Sequence, residues 1–193
     1  MPITQLFSRR PAPVLFLDFD GVLHPAGVPT INSDGEFVPD ERLFLWRADL
    51  EGELRAHPEL RIVISSDWRK YHAEEELAAF LGRDLGQRIV GVMPYFEQGS
   101  RAEAVRAEAA RRGVRHWIAV DDHHSVHEAQ AQGDNRFVAC LPDKGIACHQ
   151  VRRELARQLA WMSWLVQQNS LPFESLGASH LPQYQGHDLP LAG

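Results

Sequence analysis

The sequence predicts an α/β fold built on a five-stranded parallel sheet. Apolar runs of strand length alternate along the chain with longer stretches of helical period, the pattern of parallel strands joined by crossover helices. The chain has 193 residues, 44% hydrophobic and 24% charged, with five Trp, enough to bury one core as a single domain.

Strands are expected at Val14 to Leu17, Arg61 to Ile64, Arg88 to Val92, His116 to Val120 and Arg136 to Leu141. Asp40 suits the N-cap of a helix over Glu41 to Ala56, with Leu43, Trp46, Leu50 and Leu54 along one face. A second helix, Ala73 to Leu81, stops at Gly82. Ser100, with Glu103 three residues on, makes a capping-box pattern that opens a third helix ending at Gly113. A short helix over Ser125 to Gln132 and a longer one from His149 to about Gln167 complete the set. Between the first strand and the first helix, "AGVPTINSDGEFVP" reads as a small β-flap over about residues 26–39, with Ser33-Asp34-Gly35 as its turn. The domain is expected to span residues 1–167. Residues 168–193 lose periodicity and read as a tail, either packed back through Leu171, Phe173 and Tyr184 or partly flexible.

A net charge of -6 and a pI near 5.9 give no bulk attraction to nucleic acid or anionic membrane, so any such contact needs a local basic patch. Cys140 and Cys148 are too few for a disulfide framework and read as cytosolic thiols. The N-terminus lacks an apolar stretch of signal-peptide length, and no 18 apolar residues run together. A cytoplasmic protein without a membrane partner is expected. Among the 20 basic residues only Lys70 and Lys144 are lysine, which leaves few places for lysine-dependent chemistry.

In open α/β sheets, ligands bind beyond the carboxyl ends of the strands. Asp18 and Asp20 follow the first strand, Ser65 and Ser66 the second, Asp121 and Asp122 the fourth. Carboxylates crowded at one sheet end repel one another unless a hard cation lies among them. Mg²⁺ suits such a site, since it takes oxygen ligands and usually pairs one or two carboxylates with a phosphate oxygen.

"DFDGVL", "VISS" and "IAVDD", in that order and spacing, resemble the first, second and fourth motifs of the haloacid dehalogenase-like (HAD) phosphohydrolases. The resemblance covers roughly residues 13–165 and implies a Rossmannoid three-layer sandwich. It implies that Asp18 is the nucleophile attacking phosphorus, and that Asp20 is the acid protonating the leaving oxygen and then the base activating water. Ser65 would hold a phosphate oxygen, with Ser66 as the other candidate. Asp121 would ligate Mg²⁺ together with the Asp18 carboxylate and the Asp20 backbone carbonyl, supported by Asp122. Gly21, without a Cβ, would let the backbone approach the phosphate. An acid at Asp20 favours phosphate-ester hydrolysis, because a dehalogenase has no alkoxide to protonate.

The chain departs from that pattern where the family's third motif normally supplies a lysine. "QGSRAEAV" holds Arg101 there, a planar bidentate cation that does not replace lysine conservatively. Lys144, in "LPDKGI", is the rival.

Each feature also has a plain structural reading. Asp-x-Asp-Gly can close a turn, and Ser65, Ser66, Asp121 and Asp122 can cap the segments after their strands. His123, His124 and His127 have metal-ligand spacing but lack the intervening Glu of a zincin, and read better as loop histidines beside the pocket. Trp68, Arg69 and Lys70, in "SSDWRK", offer either core packing by Trp68 with solvated charge at Arg69, or an aromatic and basic surface for a nucleotide or polyphosphate. Arg106, Arg111, Arg112 and Arg115 read as solvated charge partnered by Glu103 and Glu108.

The gaps where this family inserts cap domains contain little here, so an uncapped, open site is expected. Such a site admits a phosphate at the end of a macromolecule but gives a small metabolite few walls. "DFDGVLHP", "ISSDWR" and "VDDHH" make the chain most similar to stand-alone bacterial HAD domains related to those attached to RNA-repair proteins. The expected activity is a Mg²⁺-dependent phosphomonoesterase working through an aspartyl-phosphate, acting on a polynucleotide end. The alternatives are a small-molecule phosphatase closed by the tail or a second subunit, and a weakly catalytic phosphate-binding module.

Overall fold

Val14–Leu17 is buried at all of its positions, as a strand covered by helices on both faces must be. This strand, β1, lies at the centre of a parallel sheet with β2 (Arg61–Ile64), β3 (Ile89–Val92), β4 (Trp117–Asp121) and β5 (Phe137–Ala139), in the order β3-β2-β1-β4-β5. The computed structural model describes residues 12–28, 32, 36–96 and 99–168. The Ser33-Asp34-Gly35 turn and the tail contacts through Leu171, Phe173 and Tyr184 lie outside them.

The strand pleat divides the core in two. Leu15, Leu17, Ile62, Ile64 and Val120 point to one face, where they meet α1 (Arg47–Leu54), α2 (Glu74–Gly86) and α5 (His149–Gln168). Phe16, Val63, Ala119 and Phe137 point to the other, against α3 (Arg101–Arg111) and α4 (His124–Ala131). This is a three-layer α/β fold without a large cap. No helix among the described residues is long and apolar enough to cross a membrane.

Several boundaries differ from expectation. The first helix begins at Arg47 rather than Glu41, because residues 41–46 form turns and Phe44 adopts φ +57°. That left-handed backbone, unusual for a residue with a Cβ, places the Phe44 ring against Phe19, Trp68 and Phe80 at 5.3–5.5 Å between centroids. Asp40 caps the turn instead, accepting from the Arg42 amide at 2.8 Å. Gly82, at φ +72°, kinks α2 and does not end it; the chain makes one more turn to Gly86. His123, not Asp121 or Asp122, caps α4, which begins at His124 rather than Ser125. A 3₁₀ turn over Asp67–Lys70 comes after β2, and Ser66 caps it, the plain structural reading of that serine. The capping box of Ser100 and Glu103 forms as expected and starts α3 with Arg101 in its first turn.

Candidate functional site

Strand register assembles the site. Leu17 pairs with Ile64 on one side and with Val120 on the other, so the next residues, Ser65, Asp18 and Asp121, emerge side by side at one sheet end. The Ser65 amide donates to the Leu17 carbonyl at 2.9 Å and the Asp18 amide to the Val120 carbonyl at 3.1 Å. Sheet order reverses about β1, which makes this the crevice where ligands of open α/β sheets sit.

Carboxylate oxygens of Asp18, Asp121 and Asp122 come within 4.8 Å of one another, the only such group of possible metal ligands among the described residues. Burial pushes the Asp18 carboxyl above its ordinary value against the opposing pull of Arg101, the Phe19 amide and the Ser66 hydroxyl. Burial, then the charge of Asp18, pushes Asp121 well up. Asp122 is pushed up to about 6 by burial and by the charges of Asp18 and Asp20. Asp121 Oδ1 accepts from the His123 amide at 2.8 Å, while its buried Oδ2 has no hydrogen-bond partner. An all-oxygen donor set with like-charge repulsion and a buried oxygen that accepts no hydrogen bond fits a hard divalent cation.

Arg101 reaches this cluster from the start of α3. Its Nε lies 3.6 Å from Asp121 Oδ2, its Nη2 lies 3.5 Å from Asp67, and its Nη1 donates to the Ser65 carbonyl. Lys144 lies exposed in the loop after β5. The two serines differ: the Ser66 hydroxyl accepts from the Trp68 amide at 3.4 Å and pulls the Asp18 carboxyl down, whereas the buried Ser65 hydroxyl has no hydrogen-bond partner.

Asp20 stands apart from the acidic cluster and is held at both oxygens. Trp68 Nε1 donates to Oδ2 at 2.9 Å, and His24 Nε2 lies 3.1 Å from Oδ1. Trp68 is therefore no stacking platform: it is 4% exposed and packs against Phe19, Phe37, Phe44 and Phe80. Arg69 is likewise turned inward, with Nη1 donating to the carbonyls of Ser65 and Ser66. His24, fully buried beside Asp20, has no role that the sequence alone assigns; its place four residues after Asp20 is the available signal.

The glycine after Asp20 has a different neighbour from the one expected. Gly21 has φ +65°, and a Cβ there would run into the carboxylate of Asp122, at 2.5 Å from its Cγ. The absent side chain makes room for Asp122. The histidines of the "DDHH" stretch form no metal-ligand group among the described residues: His123 Nδ1 accepts from the Ser125 amide, the His124 ring lies tilted by 36° against that of His123, and His127 Nε2 donates to the Cys140 carbonyl at 2.9 Å.

A family model described as the HAD domain in Swiss Army Knife RNA repair proteins matches residues 14–151. No curated protein and no solved structure matches the chain. The matched span runs from the first residue of β1 into α5 and takes in every strand and every residue of the site just described. The chain belongs to the family of HAD domains in Swiss Army Knife RNA repair proteins.

Proposed function

We propose that the protein is a phosphomonoester hydrolase that uses Mg²⁺ and an aspartyl-phosphate on Asp18, and that its substrate is a phosphate at a polynucleotide end. The convergence of Asp18, Asp121 and Asp122 beside Arg101, with one buried Asp121 oxygen that accepts no hydrogen bond, carries this reading. Membership of an RNA-repair HAD family and the absence of a large cap support the macromolecular substrate.

Asp18, Asp121, Asp122 and the Asp20 carbonyl would hold the cation, which supplies charge neutralisation to the phosphoryl oxygens. Arg101 and the free Ser65 hydroxyl bind and orient the phosphate, so that Asp18 Oδ2 faces phosphorus while Oδ1 is held by the Phe19 amide at 2.8 Å. The Asp18–phosphorus bond forms as the bond to the ester oxygen breaks, and Asp20 delivers its proton to that oxygen. In the second half Asp20 takes a proton from water as the water oxygen attacks phosphorus, and Asp18 is released. Trp68 and His24 fix the Asp20 carboxyl in one orientation for both transfers.

The test is phosphate release with Mg²⁺ from a 3′-phosphorylated oligonucleotide and, in parallel, from a panel of small phosphate esters, with Asp18→Asn as blank. Turnover mainly of the oligonucleotide is expected. Turnover confined to one small ester would replace the substrate assignment, and substantial activity in Asp18→Asn would overturn the mechanism.

A further inference from the structure

Beside Arg101 a cleft of about 230 Å³ opens between the 3₁₀ turn at Asp67–Lys70 and the segment after β3, lined among others by Arg69, Lys70, Tyr95, Ser100, Arg101 and His123. Its volume falls below the roughly 300–1,000 Å³ of pockets that enclose a whole small ligand, so it suits one unit of a longer chain. In a chain of net charge -6 it gathers one of only two lysines with two arginines. All three converge on Asp67, at 3.0 Å for Lys70, 3.1 Å for Arg69 and 3.5 Å for Arg101, and Arg101 also faces Asp121 at 3.6 Å, so three cations meet two carboxylates. Arg69 is 7% exposed on its side chain, and its buried Nε has no hydrogen-bond partner.

The aromatic component is Tyr95. It is 63% exposed, and the Lys70 ammonium lies 4.6 Å from its ring centroid. An open aromatic face beside clustered cations, at the mouth of a phosphate site, is the composition of a single-stranded nucleic-acid platform.

We infer that this cleft binds the nucleotide adjoining the scissile phosphate of a single-stranded polynucleotide end, with its base stacked on Tyr95 and its backbone phosphate against Lys70. The inference rests on the phosphatase reading of the neighbouring site. The aromatic face sought at Trp68 is thus supplied by Tyr95, because Trp68 is committed to Asp20, while Arg69 and Lys70 do line the cleft. The cleft's cations also meet the bulk-charge objection, since the field that matters is local.

The experiment compares wild type, Tyr95→Ala and Tyr95→Phe on a 3′-phosphorylated single-stranded oligonucleotide and on p-nitrophenyl phosphate. Tyr95→Ala is expected to lower kcat/KM for the oligonucleotide about 10-fold, the loss of one stacked base, with p-nitrophenyl phosphate turnover unchanged and Tyr95→Phe close to wild type. Equal loss on both substrates, or none on the oligonucleotide, would overturn the inference. If wild type hydrolyses neither substrate, the phosphatase reading fails, and anisotropy of the labelled oligonucleotide decides the cleft separately. Weaker binding by Tyr95→Ala but not by Tyr95→Phe supports it, and equal binding by all three overturns it.

Discussion

Trp68 Nε1 donates a 2.9 Å hydrogen bond to Asp20 Oδ2. The two residues lie 48 positions apart, and the bond joins the aromatic cluster behind β2 to the carboxyl assigned to proton transfer. Trp68→Phe keeps most of the ring packing and removes the donor. A positioning role predicts a fall in kcat of about 10-fold on esters whose leaving oxygen needs a proton, less than the roughly 10²–10⁴ expected for losing the acid itself. Turnover of p-nitrophenyl phosphate, whose leaving group needs no protonation, should change little in its first step. A uniform loss across leaving groups would reduce Trp68 to a packing residue.

The acidic cluster predicts an opposition between stability and metal binding. Asp18, Asp121 and Asp122 all sit above the ordinary aspartate value of 3.8. The metal-free folded protein therefore holds protons that the unfolded chain has lost. The cluster's contribution is fully present below about pH 4 and is lost as pH rises through the folded values, about 6 for Asp122. Mg²⁺ should restore stability above that pH, by about 2.7 kcal/mol at a hundredfold excess over Kd, with release of protons. Asp121→Asn should raise the Tm of the metal-free protein and abolish the Mg²⁺-dependent increase. An unchanged Mg²⁺ response in that variant would remove Asp121 from the metal site.

Gly21→Ala tests the contact that makes room for Asp122. The substitution places a methyl group against the Asp122 carboxylate at a backbone φ of +65°. A stability loss of about 1–3 kcal/mol is expected from the backbone alone, together with weaker Mg²⁺ binding as Asp122 is displaced. Denaturant unfolding and calorimetric titration measure the two effects. Unaltered Mg²⁺ affinity would show that Asp122 does not need its present position.

Glu108 gives a pH dependence of opposite sign, away from the site. It is fully buried on α3, and Arg111 and Arg112 hold its carboxylate at 2.5–2.7 Å. Burial raises its pKa, but the two arginines outweigh that and leave it below the ordinary glutamate value of 4.5. Its stabilising contribution is present above pH 4.5 and is lost as pH falls through the folded pKa. Glu108→Gln should cost about 1–3 kcal/mol at pH 7 and flatten the acid limb of the stability profile. Identical acid limbs in the two proteins would contradict this.

The residues that sequence could place are those fixed by strand ends. Asp18, Ser65 and Asp121 each come after a recognisable apolar run, and parallel register then puts them together whatever the loops do. Arg101 was legible through the third-motif position it occupies in "QGSRAEAV", and the capping box sets it in the first turn of its helix. What escaped depends on which way a side chain turns outside regular structure. Trp68 reads equally as platform or as core until the 3₁₀ turn orients it inward. Phe44 breaks a helical pattern because its ring is worth more in the aromatic cluster than its backbone is in the helix. Tyr95 lies in a loop, where spacing carries no directional information, and His24 offers only its place four residues after Asp20.

The central claim is a covalent phosphate on Asp18. In Asp20→Asn, with p-nitrophenyl phosphate as donor, the first step needs no acid while the second lacks its base, so the intermediate should accumulate. Rapid acid quench and peptide mass analysis should then find one phosphoryl group on the peptide containing Asp18, removable by hydroxylamine. Release of p-nitrophenol without phosphate on Asp18, or with phosphate on another residue, would contradict the mechanism.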